Sequence, residues 1–151
     1  MEEIRKHDGV LSIMHVCRGN WTTDESVLLQ GAYDKLGKFF DALDLDMLAL
    51  EFSTPRAGEV EKLFSNNFLD TRVMLGFGCV NPRSEVIETS EEIVSRVEEL
   101  LQFLPPERIW LNPDCGFATF AKRPLNPYPI IQKKLENMVA ASKILREKYC
   151  K

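Results

Sequence analysis

Four side chains, spread over a hundred residues, have the types and spacing to hold one metal ion. His15 and Cys17 stand two apart in an apolar run, and an i, i+2 pair on an extended strand points to the same side, roughly 6.6 Å apart along the chain. Glu51 ends a second apolar run and Cys115 ends a fourth, within Asn112-Pro113-Asp114-Cys115-Gly116. An imidazole, two thiolates and a carboxylate are the ligand types of a tetrahedral zinc site, where metal–ligand bonds of roughly 2.0–2.3 Å demand close convergence. Bound zinc stabilises a thiolate over a thiol, so the chemistry such a site suggests is the holding and activation of a thiol. Cys79, at the end of the third apolar run, is a competing ligand on spacing alone. Cys150 lies far down the chain and has no evident place in the scheme.

The elements that must bring these residues together are visible in the hydropathy pattern. Four apolar runs, over residues 11–17, 45–52, 72–80 and 108–115, read as strands buried on both faces. Each is followed by a helical pattern. Thr22 and Glu25 suggest a capping box ahead of a helix through Val27, Tyr33, Phe40 and Leu43. A short helix is expected over residues 58–64. A third opens at the Thr89–Glu92 capping box and stops at Pro105-Pro106. The last begins near Pro127 or Pro129 and places Ile131, Leu135, Met138, Ser142 and Leu145 on one face.

The resulting βαβαβαβα order is an α/β fold with a parallel sheet. If each strand lies beside the next, it is half of a (β/α)8 barrel, about four βα units, whose first and last strands are bare edges. The rival layout is a doubly wound open sheet. In either, the carboxyl ends of the strands form the functional face. Cys17-Arg18-Gly19-Asn20 is not a phosphate-binding G-x-G-x-x-G loop.

The bulk numbers narrow the setting. A chain of 151 residues, 44% hydrophobic and 28% charged, reads as a single ordinary globular domain over residues 1–151. A formal net charge of −4, with Lys and Arg scattered among acids, argues against nucleic-acid binding. The opening MEEIRKHDG has no apolar segment to act as a secretory signal, and no run is long enough to span a bilayer. Four widely separated cysteines show no disulfide framework, so the expected location is the reducing cytoplasm.

The motifs also resemble a known family. His15-Val16-Cys17-Arg18-Gly19-Asn20, Leu50-Glu51 with Arg56 after it, Leu75-Gly76-Phe77-Gly78, the stretch from Glu107 to Gly116 (ERIWLNPDCG) and Leu135-Glu136-Asn137-Met138-Val139 are similar, in order, to the C-terminal catalytic barrel of cobalamin-independent methionine synthase. The similarity runs from about residue 10 to 146, and its style is that of the short synthase-like members with an H-x-C-R-G-N motif. The resemblance implies that His15, Cys17, Glu51 and Cys115 bind Zn2+ and that Cys79 does not. It implies zinc-dependent methyl transfer to a homocysteine-type thiol, in methionine biosynthesis, from a folate or other methyl donor. Glu51, as an oxygen ligand among softer ones, is the ligand suited to yield its place to the substrate sulfur.

Two departures from the family are expected to matter. The family barrel has roughly four further βα units upstream, which grip the amino-acid part of homocysteine and much of the folate. A homodimer or a complementing half-barrel chain would have to supply them, and the alternative is a non-catalytic zinc- or thiol-binding half-barrel remnant. Secondly, the third strand of full synthases ends near D-I-H-S, whereas here Asn81-Pro82-Arg83-Ser84 follows it. Arg83 stays charged and cannot exchange protons near neutral pH, but could bind a carboxylate or phosphate. Asp114 is suited to orient a ligand by hydrogen bonding. Arg56 matches an arginine of the family pattern and, with Arg83, is a possible substrate contact.

Overall fold

The computed structural model describes residues 7–150; residues 1–6, part of the opening read for a secretory signal, and residue 151 lie outside it. Four strands, β1 (Ile13–Val16), β2 (Met47–Glu51), β3 (Met74–Val80) and β4 (Ile109–Pro113), form one parallel sheet in the order β1-β2-β3-β4. Consecutive neighbours without a switch point are the half-barrel arrangement, not the doubly wound one.

Alternation along the strands divides the sheet into two faces. Leu48, Leu50, Leu75, Phe77 and Cys79 join Phe40, Leu63, Leu69, Ile93, Val97 and Leu100 in the core, under the helical segments. On the other face, registers place His15 beside Ala49, Ala49 beside Gly76, and Gly76 beside Trp110. One step toward the carboxyl ends, Glu51 lies beside Gly78 and Gly78 beside Asn112. Those glycines are there for space. A Cβ on Gly78 would come within 2.6 Å of both Asp114 Oδ1 and Leu50 O, and one on Gly76 within 2.7 Å of Asn112 Oδ1.

The helical layer departs from the sequence pattern at its start. The long helix expected after β1 is replaced by tight turns at Glu25–Val27 and Tyr33–Leu36 and a short α1 (Gly37–Asp41). Gly31, at φ +134°, is incompatible with a continuous helix. The Thr22–Glu25 capping box does not form either. Asp24 caps the turn by accepting from Ser26 N, and Glu25 is drawn elsewhere. The helix expected over 58–64 is a 3-10 segment, Val60–Phe64, followed by the single turn α2 (Leu69–Arg72).

The later elements follow the pattern closely. In α3 (Ser90–Leu100), Thr89 Oγ accepts from Glu92 N while the Glu92 carboxylate accepts from Thr89 N, the reciprocal cap expected. The final α4 (Tyr128–Tyr149) starts after Pro127. Its buried face includes Lys134, Ala141 and Leu145, while Leu135, expected inside, is 37% exposed. Lys134 earns burial by pairing with Glu88 at 2.8 Å and donating to Val86 O. Asn126 donates to Pro82 O and Ser84 O, so the segment around α4's start fixes the β3–α3 connection on both sides of Arg83. No helix among the described residues is long and apolar enough to cross a membrane.

Candidate metal centre

The carboxyl ends of β1, β2 and β4 converge. His15, Cys17, Glu51 and Cys115 each offer a ligand atom, and these atoms all lie within 4.8 Å of one another. The two sulfurs are 3.2 Å apart, His15 Nε2 is 3.3 Å from Cys115 Sγ, and Cys115 Sγ is 3.4 Å from Glu51 Oε1. Cys79 is elsewhere: its thiol is buried in the core on the opposite face, donating to Asn112 O, and burial pushes it up to about 12. Cys150 is exposed and outside the cluster.

Three of the four are oriented by backbone groups. His15 Nδ1 lies 2.9 Å from Ala49 O, and because a carbonyl only accepts, the neutral ring carries its proton there and turns the Nε2 lone pair to the cluster. Cys17 Sγ accepts from Gly19 N at 3.3 Å. Gly19 reaches that position at φ +110°, with Trp21 and Leu28 packed where a Cβ would sit. Glu51 is 1% exposed, and its backbone N–H donates to the Tyr33 hydroxyl at 3.0 Å. Its Oε1 accepts from Arg18 N at 2.8 Å.

Around the four lies a ring of charge that the sequence only partly disclosed. Asp114, next to Cys115, is not one of the four and forms no hydrogen bond to their side chains. It accepts from Phe52 N, Ser53 N and Ser53 Oγ, fixing the loop that leaves Glu51, and pairs with Arg83 Nη2 at 2.7 Å. Arg83 is 1% exposed and reaches three carboxylates of the protein itself: Asp114, Glu51 and Glu25. Arg56 pairs with Glu25 and Glu51. Glu25, expected as a helix cap, thus bridges two guanidinium groups and also accepts from Asn81 Nδ2 at 2.6 Å. Although partial burial works against its charge, the Asn81 hydrogen bond and the Arg83 charge hold its carboxyl below the usual value. Tyr33 and Glu25 read only as helix residues and Ser53 carries no motif, so pattern reading misses their part in the site.

The donor set fits a divalent cation. With no cation, burial first and then the adjacent Cys17 thiol and Glu51 charge push the Cys115 thiol far up. A zinc ion would relieve that crowding by taking thiolates in place of thiols.

The sequence profile described as the catalytic domain of the cobalamin-independent synthase matches residues 14–144. The chain belongs to this family. Methionine synthase of Saccharolobus solfataricus is 28% identical over 135 residues, covering 89% of this chain and 34% of that protein. The 5-methyltetrahydropteroyltriglutamate–homocysteine methyltransferase of Candida albicans is 34% identical over 108 residues, 72% of this chain and 13% of its own length. A solved B12-independent methionine synthase from Shewanella sp. W3-18-1, in complex with selenomethionine, superposes with a TM-score of 0.71 at 18% identity. That superposition covers 93% of this chain and 40% of the Shewanella chain. The chain therefore spans about a third of the archaeal relative and less than half of the synthase structure. As a cobalamin-independent synthase domain it has a partial-barrel fold.

Proposed function

We propose that this cobalamin-independent synthase domain binds one Zn2+ through His15, Cys17, Glu51 and Cys115 and uses it to activate a homocysteine-type thiol for methyl transfer, in methionine biosynthesis. The observation that carries the reading is the approach of all four ligand atoms to within 4.8 Å at the carboxyl ends of three strands. Bound zinc supplies a thiolate-stabilising Lewis acid. The chain's own residues do the rest. Ala49 O fixes the imidazole, Gly19 N steadies Cys17, and Arg18 N orients Glu51. The Arg83–Asp114 pair locks the loops that carry Glu51 and Cys115. Free thiols in this role suit a reducing compartment such as the cytoplasm.

The substrate-gripping half is proposed to come from outside residues 7–150. On the face opposite the core, Ile13 is 52% and Trp110 is 49% exposed, unlike the interior of a closed barrel. Beside β4 lies an apolar groove of about 430 Å3 lined by Trp110, Leu111, Met138 and Val139. On this reading residues 1–151 are one folding unit equivalent to the C-terminal half of the catalytic barrel. A second copy, or a chain bringing four more parallel strands, closes it and supplies contacts to the amino acid and the methyl donor. That openness also favours a second reading, a zinc- or thiol-binding half barrel without turnover of its own.

Metal analysis of freshly purified protein, followed by a methyl-transfer assay with homocysteine and a methylfolate, tests the proposal. One zinc per chain with turnover supports it. Zinc without turnover, even after addition of a complementing half, leaves only the second reading. No zinc defeats the first reading, and no zinc together with no thiol binding defeats both.

A further inference from the structure

The two oxygens of Glu51 live in different surroundings. Oε1 faces the ligand cluster, accepting from Arg18 N at 2.8 Å with Cys115 Sγ at 3.4 Å. Oε2 faces two guanidinium groups, Arg56 Nη2 at 3.4 Å and Arg83 Nη2 at 3.7 Å. Both separations exceed the roughly 2.7–2.9 Å of a fully formed charge-assisted hydrogen bond, so neither arginine has closed on Glu51. What restrains them is Glu25, whose two oxygens take Arg56 Nε at 3.1 Å and Arg83 Nε at 3.3 Å, together with Asp114, whose Oδ2 holds the same Arg83 Nη2 at 2.7 Å. Arg83 Nη1, meanwhile, is buried with no hydrogen-bond partner, an unusual cost that leaves a donor in reserve. The other donors have no such cationic neighbours: His15 Nδ1 meets the carbonyl of Ala49, and Cys17 Sγ meets Gly19 N.

We infer that Arg56 and Arg83 are positioning residues for Glu51: they hold Oε2, leave Oε1 alone for the metal, and receive the whole carboxylate when a substrate sulfur takes its place, with Glu25 as the counterweight that limits their pull. This rests on the zinc-and-thiol reading above. A bound zinc would be held through Oε1 and would supply a thiolate-stabilising charge; were a substrate thiolate to take the place of Oε1, its proton would pass to solvent and one anionic donor would replace another. The displaced carboxylate, however, lies in a buried place where an unpaired anion is strongly disfavoured. Two guanidinium groups, charged at every pH at which the protein is folded, remove that obstacle. They also select the ligand that leaves, because the soft thiolates have the firmer hold on zinc and no comparable dock.

The test uses the zinc-loaded protein and the variants Arg56→Met, Arg56→Lys and Glu25→Gln, each checked for one zinc per chain. Homocysteine is titrated in, with binding followed by the absorption of the cobalt-substituted proteins and the zinc shell by X-ray absorption. Wild type gains one sulfur and loses one oxygen at saturation. Arg56→Met keeps its metal but takes up homocysteine about tenfold more weakly, the loss of roughly one charge-assisted contact. Arg56→Lys recovers part of that loss. Glu25→Gln, which releases Arg56 toward Glu51 and leaves Arg83 tied to Asp114 alone, takes up the thiol more tightly than wild type. A residue that merely propped up the fold would move both variants the same way. Equal affinities in wild type and Arg56→Met overturn the inference while leaving zinc and thiol binding intact. So does weaker uptake in Glu25→Gln, or an oxygen ligand that persists in wild type at saturating homocysteine. A wild type that binds no zinc removes the underlying reading, and this inference with it. Should Arg56→Met fail to fold, the sign of the Glu25→Gln effect decides alone.

Discussion

A thiol pair 3.2 Å apart, with a carboxylate and an imidazole at similar range, is costly to assemble without a cation, and that cost makes the ligands testable one by one. Cys17→Ala and Cys115→Ala are each expected to abolish zinc binding. With free zinc at 1,000 times its dissociation constant, wild type would then exceed either variant by about 4 kcal/mol in unfolding free energy, read by denaturant titration with and without chelator. Cys150→Ala should change neither zinc content nor stability, since its side chain is exposed and outside the cluster. That His15, Cys17, Glu51 and Cys115 come together was legible from their places at strand ends, although spacing alone left Cys79 in contention and it was the family resemblance that set it aside. The site roles of Glu25, Tyr33 and Ser53 were not legible: a helical spacing misplaced the first two, and Ser53 sits in a connection where no period constrains orientation. Arg83 was open to misreading because charge normally marks the surface; only its three carboxylate partners explain its burial.

At the level of elements, legibility tracked how local the determinants are. The α3 cap depends on residues three apart and was readable. The segment between β1 and β2 has helical spacing, yet Gly31 interrupts it, and Tyr33 and Glu25 are committed to contacts across the site. Tertiary demand overrode the local pattern there. Thr89→Ala should cost about 1 kcal/mol by denaturant titration, the usual worth of an N-cap. The cap also sets a pH dependence. Hydrogen bonds from Thr89 N and Oγ hold the Glu92 carboxyl below its ordinary 4.5, so its contribution is complete above that value and is lost as pH falls through the lowered one. Glu92→Gln should therefore flatten the stability curve on its acid limb. In β3, Gly78→Ala would drive a methyl into Asp114 Oδ1 and Leu50 O. It should lower both zinc affinity and stability, by about 1–3 kcal/mol for the latter as in other overpacked sites, although it alters no ligand.

Across the whole molecule, the four strand–helix repeats were readable, but the half barrel was not readable from their number, because a doubly wound sheet has the same repeats; only the observed strand order separates the two. What closes the barrel was not readable either, because an edge strand's sequence says little about its partner. If a second copy supplies the missing half, β4 of one chain pairs in parallel with β1 of the next, and both sets of carboxyl ends face the same mouth. Sedimentation or native mass measurement should then give a dimer. Charge placed on the open edge, as in Ile13→Lys, should return the chain to monomer while leaving the zinc content unchanged.

The chain contains two tryptophans, and their placement gives each a separate message. Trp21 stacks against Gly19, whose amide holds Cys17, so its emission should respond when the ligand loop tightens. Trp110, half in solvent on the open face, should instead shift to the blue when that face is covered. Substituting either by phenylalanine separates the two signals, so that metal loading and barrel closure can be timed independently in one cuvette.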